Sequence, residues 1–293
     1  MKFHSDDYFH IGHEHVVAGK PCQDYALSGL SGGVAYATVS DGCSTGGNTD
    51  VGARLVALSA AKAIHTLGDA VTGPKRDYAV EAIVFHQQTI LNEVKTLLSV
   101  TRNDMLATCL YAVVSERGGF VHVRGDGVVA FVKRNGSILL HRFDWANNTP
   151  FYPEYLNDDV SSFVEAHGGV EDAHALTEEK WLLTNNECKH ISTTTHSIAH
   201  GMGGMLIDIN QEVVKNELAY VAVFTDGVEA VDGMDWKEAA AHLLDFKNTA
   251  GVFAKRRMIR FVTKEATARG VGPSDDIAYA AIRVEHESQG GAP

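Results

Sequence analysis

The chain has no run of lysine and arginine, no CxxC pair and no apolar stretch near the roughly 20 residues that span a bilayer. Each absence removes a class of function. With 25 basic and 37 acidic residues and a formal net charge of −12, the electrostatic footprint of a nucleic-acid binder is missing. Four widely spaced cysteines, Cys22, Cys43, Cys109 and Cys188, form neither a disulfide framework nor a zinc finger. The opening Met1-Lys2-Phe3-His4-Ser5-Asp6-Asp7 carries no apolar signal region, so a cytoplasmic setting without membrane contact is expected. Fifteen histidines include His13-Glu14-His15, and His196 and His200 at the spacing of one helix face. None belongs to an HExxH motif, and scattered histidines of this kind read as surface residues rather than zinc ligands. There is no internal repeat and no low-complexity linker. A length of 293 residues, 45% of them hydrophobic, is enough for one large domain over residues 1–293.

What the chain does have is four short acidic motifs: Cys22-Gln23-Asp24, Val39-Ser40-Asp41-Gly42, Phe224-Thr225-Asp226-Gly227 and Ser274-Asp275-Asp276-Ile277. Three read as a β-like apolar run that stops at an aspartate. A carboxylate at the end of a buried strand is costly unless something offsets its desolvation. Several at one rim would repel one another and take up protons unless cations neutralise them. Hard divalent ions such as Mg²⁺ and Mn²⁺ accept oxygen ligands of this type. The pattern therefore predicts a carboxylate-lined metal site and metal-assisted hydrolysis.

Periodicity orders the rest. Val34–Ser40 reads as a buried strand, followed by the loop Cys43-Ser44-Thr45-Gly46-Gly47-Asn48-Thr49 and a helix capped by Asp50 that runs to Leu67, with Val51, Leu55, Leu58 and Ala61 inward. A second helix is expected from Asp77 to Leu98, with Val80, Val84, Ile90, Val94 and Leu97 on its apolar side. Strands follow at Leu106–Ser115, Phe120–Arg124, Val128–Lys133 and Ile138–Arg142, separated by turn sequences. The stretch 144–204 has weak periodicity and reads as an irregular flap. Ala219–Thr225 is a further buried strand, Trp236–Phe246 and Val252–Ala268 are helices, Ile277–Val284 is a last strand, and 285–293 is a frayed tail. This order breaks the alternation of a parallel α/β sheet and suits antiparallel sheets covered by helices.

Taken together, Gly19-Lys20-Pro21-Cys22-Gln23-Asp24, Val39-Ser40-Asp41-Gly42 with Val51-Gly52-Ala53, Leu106-Ala107-Thr108, Arg124-Gly125-Asp126-Gly127, Phe224-Thr225-Asp226-Gly227 and Ser274-Asp275-Asp276-Ile277 resemble the PP2C (PPM) family of metal-dependent protein serine/threonine phosphatases. The resemblance runs from about Gly12 to Val284. It implies an α+β fold, a four-layer α-β-β-α sandwich of two antiparallel sheets flanked by helices, with a two-metal centre in the cleft at one end. It also implies Mg²⁺ or Mn²⁺ as cofactor. Asp41 would bridge two ions, with the Gly42 carbonyl on the second. Asp226 and Asp275 would complete the first, Asp24 would serve the second directly or through water, and Asp126 would help Asp226 hold a more labile third. Asp41, Asp226, Asp275 and His15 are the residues expected to carry catalysis. The implied partner is a phosphorylated protein, the product of a cognate kinase. Cys22 and Cys43 adjoin the ligands but need no thiol chemistry, and read as small packing residues.

Two departures from the family pattern matter. Many members carry an arginine shortly before the Asp24 position, where its planar fork grips the phosphate. Here that stretch is His15-Val16-Val17-Ala18-Gly19-Lys20-Pro21, as in a bacterial-type subgroup, which leaves His15 or Lys20 to assist substrate binding. Gly127-Val128 also stands where serine and arginine are usual. Two other functions stay open at this level: a phosphatase for small phosphorylated metabolites, and a weakly catalytic pseudophosphatase acting as a binding module.

Overall fold

The computed structural model describes residues 1–72, 76–170, 174–185, 187–215 and 217–286. The first third of the chain holds strand β1 (Lys2–His10), helix α1 (His13–Ala18), strands β2 (Asp24–Ser31) and β3 (Val34–Asp41), and helices α2 (Thr49–Leu67) and α3 (Arg76–Leu98). Four strands follow: β4 (Cys109–Ser115), β5 (Gly118–Arg124), β6 (Gly127–Lys133) and β7 (Ile138–Trp145). Next come α4 (Val160–Ala166), β8 (Leu176–Leu183), β9 (Cys188–His196), α5 (Ile198–Met202), β10 (Met205–Asp208), α6 (Asn210–Val214) and β11 (Leu218–Phe224). The chain closes with α7 (Trp236–Leu244), α8 (Phe253–Arg260) and β12 (Ile277–Glu285).

Two antiparallel sheets result, one of seven strands in the order β1-β12-β11-β6-β7-β8-β9 and one of five in the order β10-β5-β4-β3-β2. Side-chain alternation decides how they stack. In β12, Ala278, Ala280 and Ile282 face the core between the sheets, while Ile277, Tyr279 and Ala281 face the helices α7 and α8. In β4, Leu110, Ala112 and Val114 face inward, while Cys109, Tyr111 and Val113 lie under α2 and α3. Strands apolar on both faces need a cover on both, so the layers are helix, sheet, sheet, helix, as expected from the resemblance.

Several expectations shift in detail. The α2 cap falls on Asn48, and Asp50 sits in the first turn, where a negative charge suits the helix dipole. Its buried face is Gly52, Ala53, Val56, Ala57 and Ala60, whereas Leu58 is exposed. Small residues win there because the helix runs close to its neighbours: a Cβ on Gly52 would lie 1.9 Å from the Asp104 carbonyl oxygen. On α3 the buried line is Ala79, Ile83, Gln87 and Leu91, one position round from the expected stripe, and Leu97 is exposed.

The 144–204 stretch is more regular than its sequence suggests. β8 and β9 extend the seven-stranded sheet, and Phe151, Tyr152, Tyr155 and Phe163 pack into the inter-sheet core. β9 is nearly all exposed, which explains why no burial period marks it. His196 ends β9 while His200 lies in α5, so the two share no helix face; their rings stack with centroids 5.0 Å apart. Of the expected frayed tail, residues 287–293 lie outside the described residues, and β12 reaches Glu285. Among the described residues no helix is long and apolar enough to cross a membrane.

Gly52→Ala tests the close packing of α2. Although alanine gains helix propensity, its Cβ meets backbone, and overpacking should cost about 1–3 kcal/mol. The urea midpoint of the variant is expected to fall.

Candidate metal centre

Antiparallel pairing gathers the acidic motifs at one end of the sandwich. At that end β3 stops and β2 starts at an aspartate, and β11, β12 and the β5–β6 link carry theirs just outside the strands. Asp41 ends β3 and Asp24 begins β2, and the two are register partners. Asp226 follows β11, and Asp275 and Asp276 precede β12, its antiparallel neighbour. The expected form, a strand stopping at an aspartate, therefore holds for Asp41 and Asp226 but not for Asp24 or Asp275. Asp126 occupies the link between β5 in one sheet and β6 in the other. That crossing needs its flanking glycines, since φ is +97° at Gly125 and +132° at Gly127. A Cβ on Gly127 would also lie 2.5 Å from the Phe224 carbonyl oxygen.

Hydrogen bonds fix the strand ends under the site, and that of Thr225 with Asp24 crosses between the sheets. Thr225 Oγ1 donates to Asp24 Oδ2 at 2.5 Å and accepts from the Ala278 N–H at 2.9 Å. Thr108 Oγ1 accepts from the Asp41 N–H at 2.9 Å, and the Thr108 N–H donates to the Asp41 carbonyl at 2.8 Å. The glycine-rich loop is anchored by Asp104, which accepts from the Asn48 N–H (2.6 Å), the Thr101 N–H (2.7 Å) and the Thr101 hydroxyl (2.6 Å). These bonds, led by that from Asn48, hold the Asp104 carboxyl at about 2.

Asp276 is buried and organises α1. Its Oδ1 accepts from the Gly12 N–H at 2.7 Å, and its Oδ2 accepts from the Gln23 N–H at 2.6 Å and from His15 Nδ1 at 2.7 Å. The other ring nitrogen of His15, Nε2, lies 3.8 Å from Asp275 Oδ1.

These groups surround a cleft of about 170 Å³ lined by His15, Gln23, Asp41, Gly42, Asp126, Asp226 and Asp275, with Cys43, Asn148, Pro150 and Tyr152 at its lip. An adjoining hollow of about 280 Å³ shares Asp126, Asn148 and Asp226 and adds Arg142, Asp144 and Glu229. Asp24 lies behind Asp41 rather than on the cleft wall, and Lys20 is exposed and away from it. Among the described residues, neither lysine nor arginine lines the first cleft. Arg142 in the second is engaged by Glu229 at 2.6 Å and Asp144 at 3.1 Å.

Burial, followed by mutual repulsion, raises the carboxyls of Asp41 and Asp126 well above their usual range. Burial also raises Asp24, against the hydrogen bonds from its Asp41 and Thr225 neighbours. Asp226 is pushed up to about 6 by burial and by Asp275. Gln23 Oε1, also at the cleft, is a buried acceptor without a donor. Clustered anionic oxygens, an orphaned amide oxygen and no organic cation make a donor set that fits hard divalent ions.

The family model for protein phosphatase 2C matches residues 11–264. The chain belongs to the protein phosphatase 2C family. Among solved structures it is similar to the serine/threonine phosphatase Stp1 of Staphylococcus aureus, at 11% identity and a TM-score of 0.52, covering 98% of this chain and 96% of that one. It is also similar to the S. agalactiae serine/threonine phosphatase (14% identity, TM-score 0.52, 97% and 100% covered). A bacterial serine phosphatase aligns at 10% identity with a TM-score of 0.52, covering 98% of this chain and 100% of that one. No curated protein matches. At these identities the likeness to the solved structures concerns the fold.

This protein phosphatase 2C chain brings together His15, Asp41, Gly42, Asp126, Asp226 and Asp275, sets Asp24 behind them and leaves Lys20 outside. The roles of Asp276, Thr225 and Asp104 escaped the sequence reading. The doubled aspartate was a signal for the first, but neither threonine nor an isolated Asn103-Asp104 announces a partner far away in sequence. Asn148, Pro150 and Tyr152 had no signal, because only the path of the chain after β7 brings them to the cleft.

Raised carboxyls have a sign in stability. The metal-free folded state holds protons that the unfolded chain releases near 3.8, so their contribution is complete below that pH and is lost as pH rises through the folded values, about 6 for Asp226. In EDTA, Tm should fall between pH 5 and 8, and Asp41→Asn should flatten that slope. Melts across this range check it; a wild-type Tm rising with pH in EDTA would contradict the electrostatics.

Proposed function

We propose that the chain, as one domain over residues 1–293, is a divalent-metal-dependent protein serine/threonine phosphatase. The observation that carries this reading is the cluster of buried carboxylates without a cationic side chain. Asp41, at the end of β3, would be shared by two ions, with the Gly42 carbonyl beside it. Asp226 and Asp275 would help hold one ion from the β11 and β12 side, and Asp24 would support the other from behind. Asp126, with Asp226, faces the adjoining hollow and suits a more labile third ion. Mg²⁺ or Mn²⁺ bound there would supply an activated water and neutralise charge on a phosphoryl group.

The chain's own residues do the positioning. Thr225 and Thr108 fix Asp24 and Asp41, Asp104 holds the loop at the lip, and Asn148 and Tyr152 border the entrance through which a phosphorylated side chain arrives. Family membership supports a phosphoprotein, the product of a cognate kinase, over a small metabolite. The absence of lysine and arginine from the first cleft leaves capture of the phosphate to bound ions.

Turnover of an aryl phosphate and of phosphopeptides, with Mn²⁺, Mg²⁺ or EDTA, tests the reading. Activity should require the metal and rise with pH through neutrality. Asp41→Asn and Asp226→Asn should each lower kcat/KM by about a thousandfold or more, about 4 kcal/mol. Neither should lower the metal-free Tm at neutral pH. Lys20→Ala, at an exposed site away from the cleft, should change kcat/KM less than about threefold. Metal-independent turnover would overturn the mechanism.

A further inference from the structure

Among the described residues, His15 is the one imidazole lining a cleft whose carboxylates, Asp41, Asp126, Asp226 and Asp275, are oxygen donors. Its side chain is only 12% exposed, and its ring is held at Nδ1. Nδ1 lies 2.7 Å from Asp276 Oδ2, and that carboxylate also accepts the Gly12 and Gln23 N–H groups. A carboxylate can only accept, so Nδ1 donates to Asp276 and the Nε2 edge of the ring is the one left to face the cleft.

Nε2 sits 3.8 Å from Asp275 Oδ1, too far for a hydrogen bond between them. The spacing falls between the two separations that an octahedral ion imposes, so an ion between the two atoms needs a small rotation of the half-exposed Asp275 side chain. Ligand atoms at roughly 2.1 Å from one ion are about 3.0 Å apart at right angles and about 4.2 Å apart when opposed. A carboxylate behind the distal nitrogen is also the usual support of a metal-bound histidine, because it fixes the tautomer and raises basicity.

We propose that His15 Nε2 is a ligand of the ion held by Asp275, with Asp276 as its positioning residue, and that this nitrogen biases the site toward an imidazole-accepting first-row ion such as Mn²⁺ over Mg²⁺. The proposal rests on the divalent-metal reading above and departs from the expectation that His15 grips substrate. A purely oxygen site would serve either ion, whereas a nitrogen donor suits the transition metal.

Pulsed EPR of the full chain loaded with Mn²⁺ tests this without turnover. A nitrogen coupling of the strength of a directly bound imidazole is expected in the wild type, and it should disappear in His15→Ala while Mn²⁺ still binds. Calorimetric competition should show His15→Ala losing at least about tenfold of its preference for Mn²⁺ over Mg²⁺, and Asp276→Asn losing about 10–100-fold in Mn²⁺ affinity. Mn²⁺ bound without nitrogen coupling, or a coupling that survives His15→Ala, would overturn the ligand assignment and leave the carboxylate centre standing. A wild type that binds no Mn²⁺ would instead overturn the metal reading beneath it. Should Asp276→Asn fail to fold, the wild-type coupling and its loss in His15→Ala decide the matter.

Discussion

Buried like charges at the meeting point of two sheets are the constraint around which this molecule is organised. Asp24, Asp41, Asp126 and Asp226 are drawn out of water within reach of one another, and among the described residues no lysine or arginine lines the cleft that they form. Such an arrangement persists only if the surrounding fold over-determines it and protons or cations offset its charge. The layers supply the first condition. Two sheets, each apolar on both faces and each covered by helices, form a rigid frame whose strand ends cannot spread apart to relieve the repulsion.

The frame reaches the site through a few polar ties. Thr225, on one sheet, donates to Asp24 on the other, so the alignment of the two sheets is registered at the carboxylates themselves. Asp276 does the same for α1, binding Gly12, Gln23 and His15 with one carboxylate. Two aspartates adjacent in sequence thereby divide the labour. Asp275 is exposed to the cleft and available to a ligand, while Asp276 is buried and spent on internal bonds. The arrangement explains how a chain without the expected arginine keeps an ordered wall at that position.

The stretch between β7 and β10 shows how function is added to the frame. Its first part turns across the cleft and contributes Asn148, Pro150 and Tyr152, and its aromatic residues seal the end of the inter-sheet core. Its second part widens one sheet by the two strands β8 and β9. The lip of the site and the edge of the sheet are thus one continuous piece of chain, which loops over the scaffold in the manner expected of variable functional segments.

Motif spacing alone determined the acidic centre. Aspartates beside apolar runs are rare enough in combination that Asp24, Asp41, Asp226 and Asp275 could be named before any fold was known, whereas Asp126 was reached only through the family resemblance. Antiparallel sheets covered by helices were legible from the order of the elements, and the four layers followed only from the family resemblance. Helix faces were read one position off where tight packing favours Gly52 and Ala53 over larger neighbours, since periodicity records hydrophobicity and not the distance to the adjacent backbone. β9 was missed because an edge strand exposed on both sides has no burial period to show. Only the tertiary structure decided that Asp276 turns inward to His15 while Asp275 turns out, that Lys20 stays in solvent, and that Tyr152 reaches the cleft. Those outcomes depend on contacts between residues far apart in the chain, such as the 261 positions between His15 and Asp276, and side-chain direction at such contacts is set by packing rather than by any local pattern.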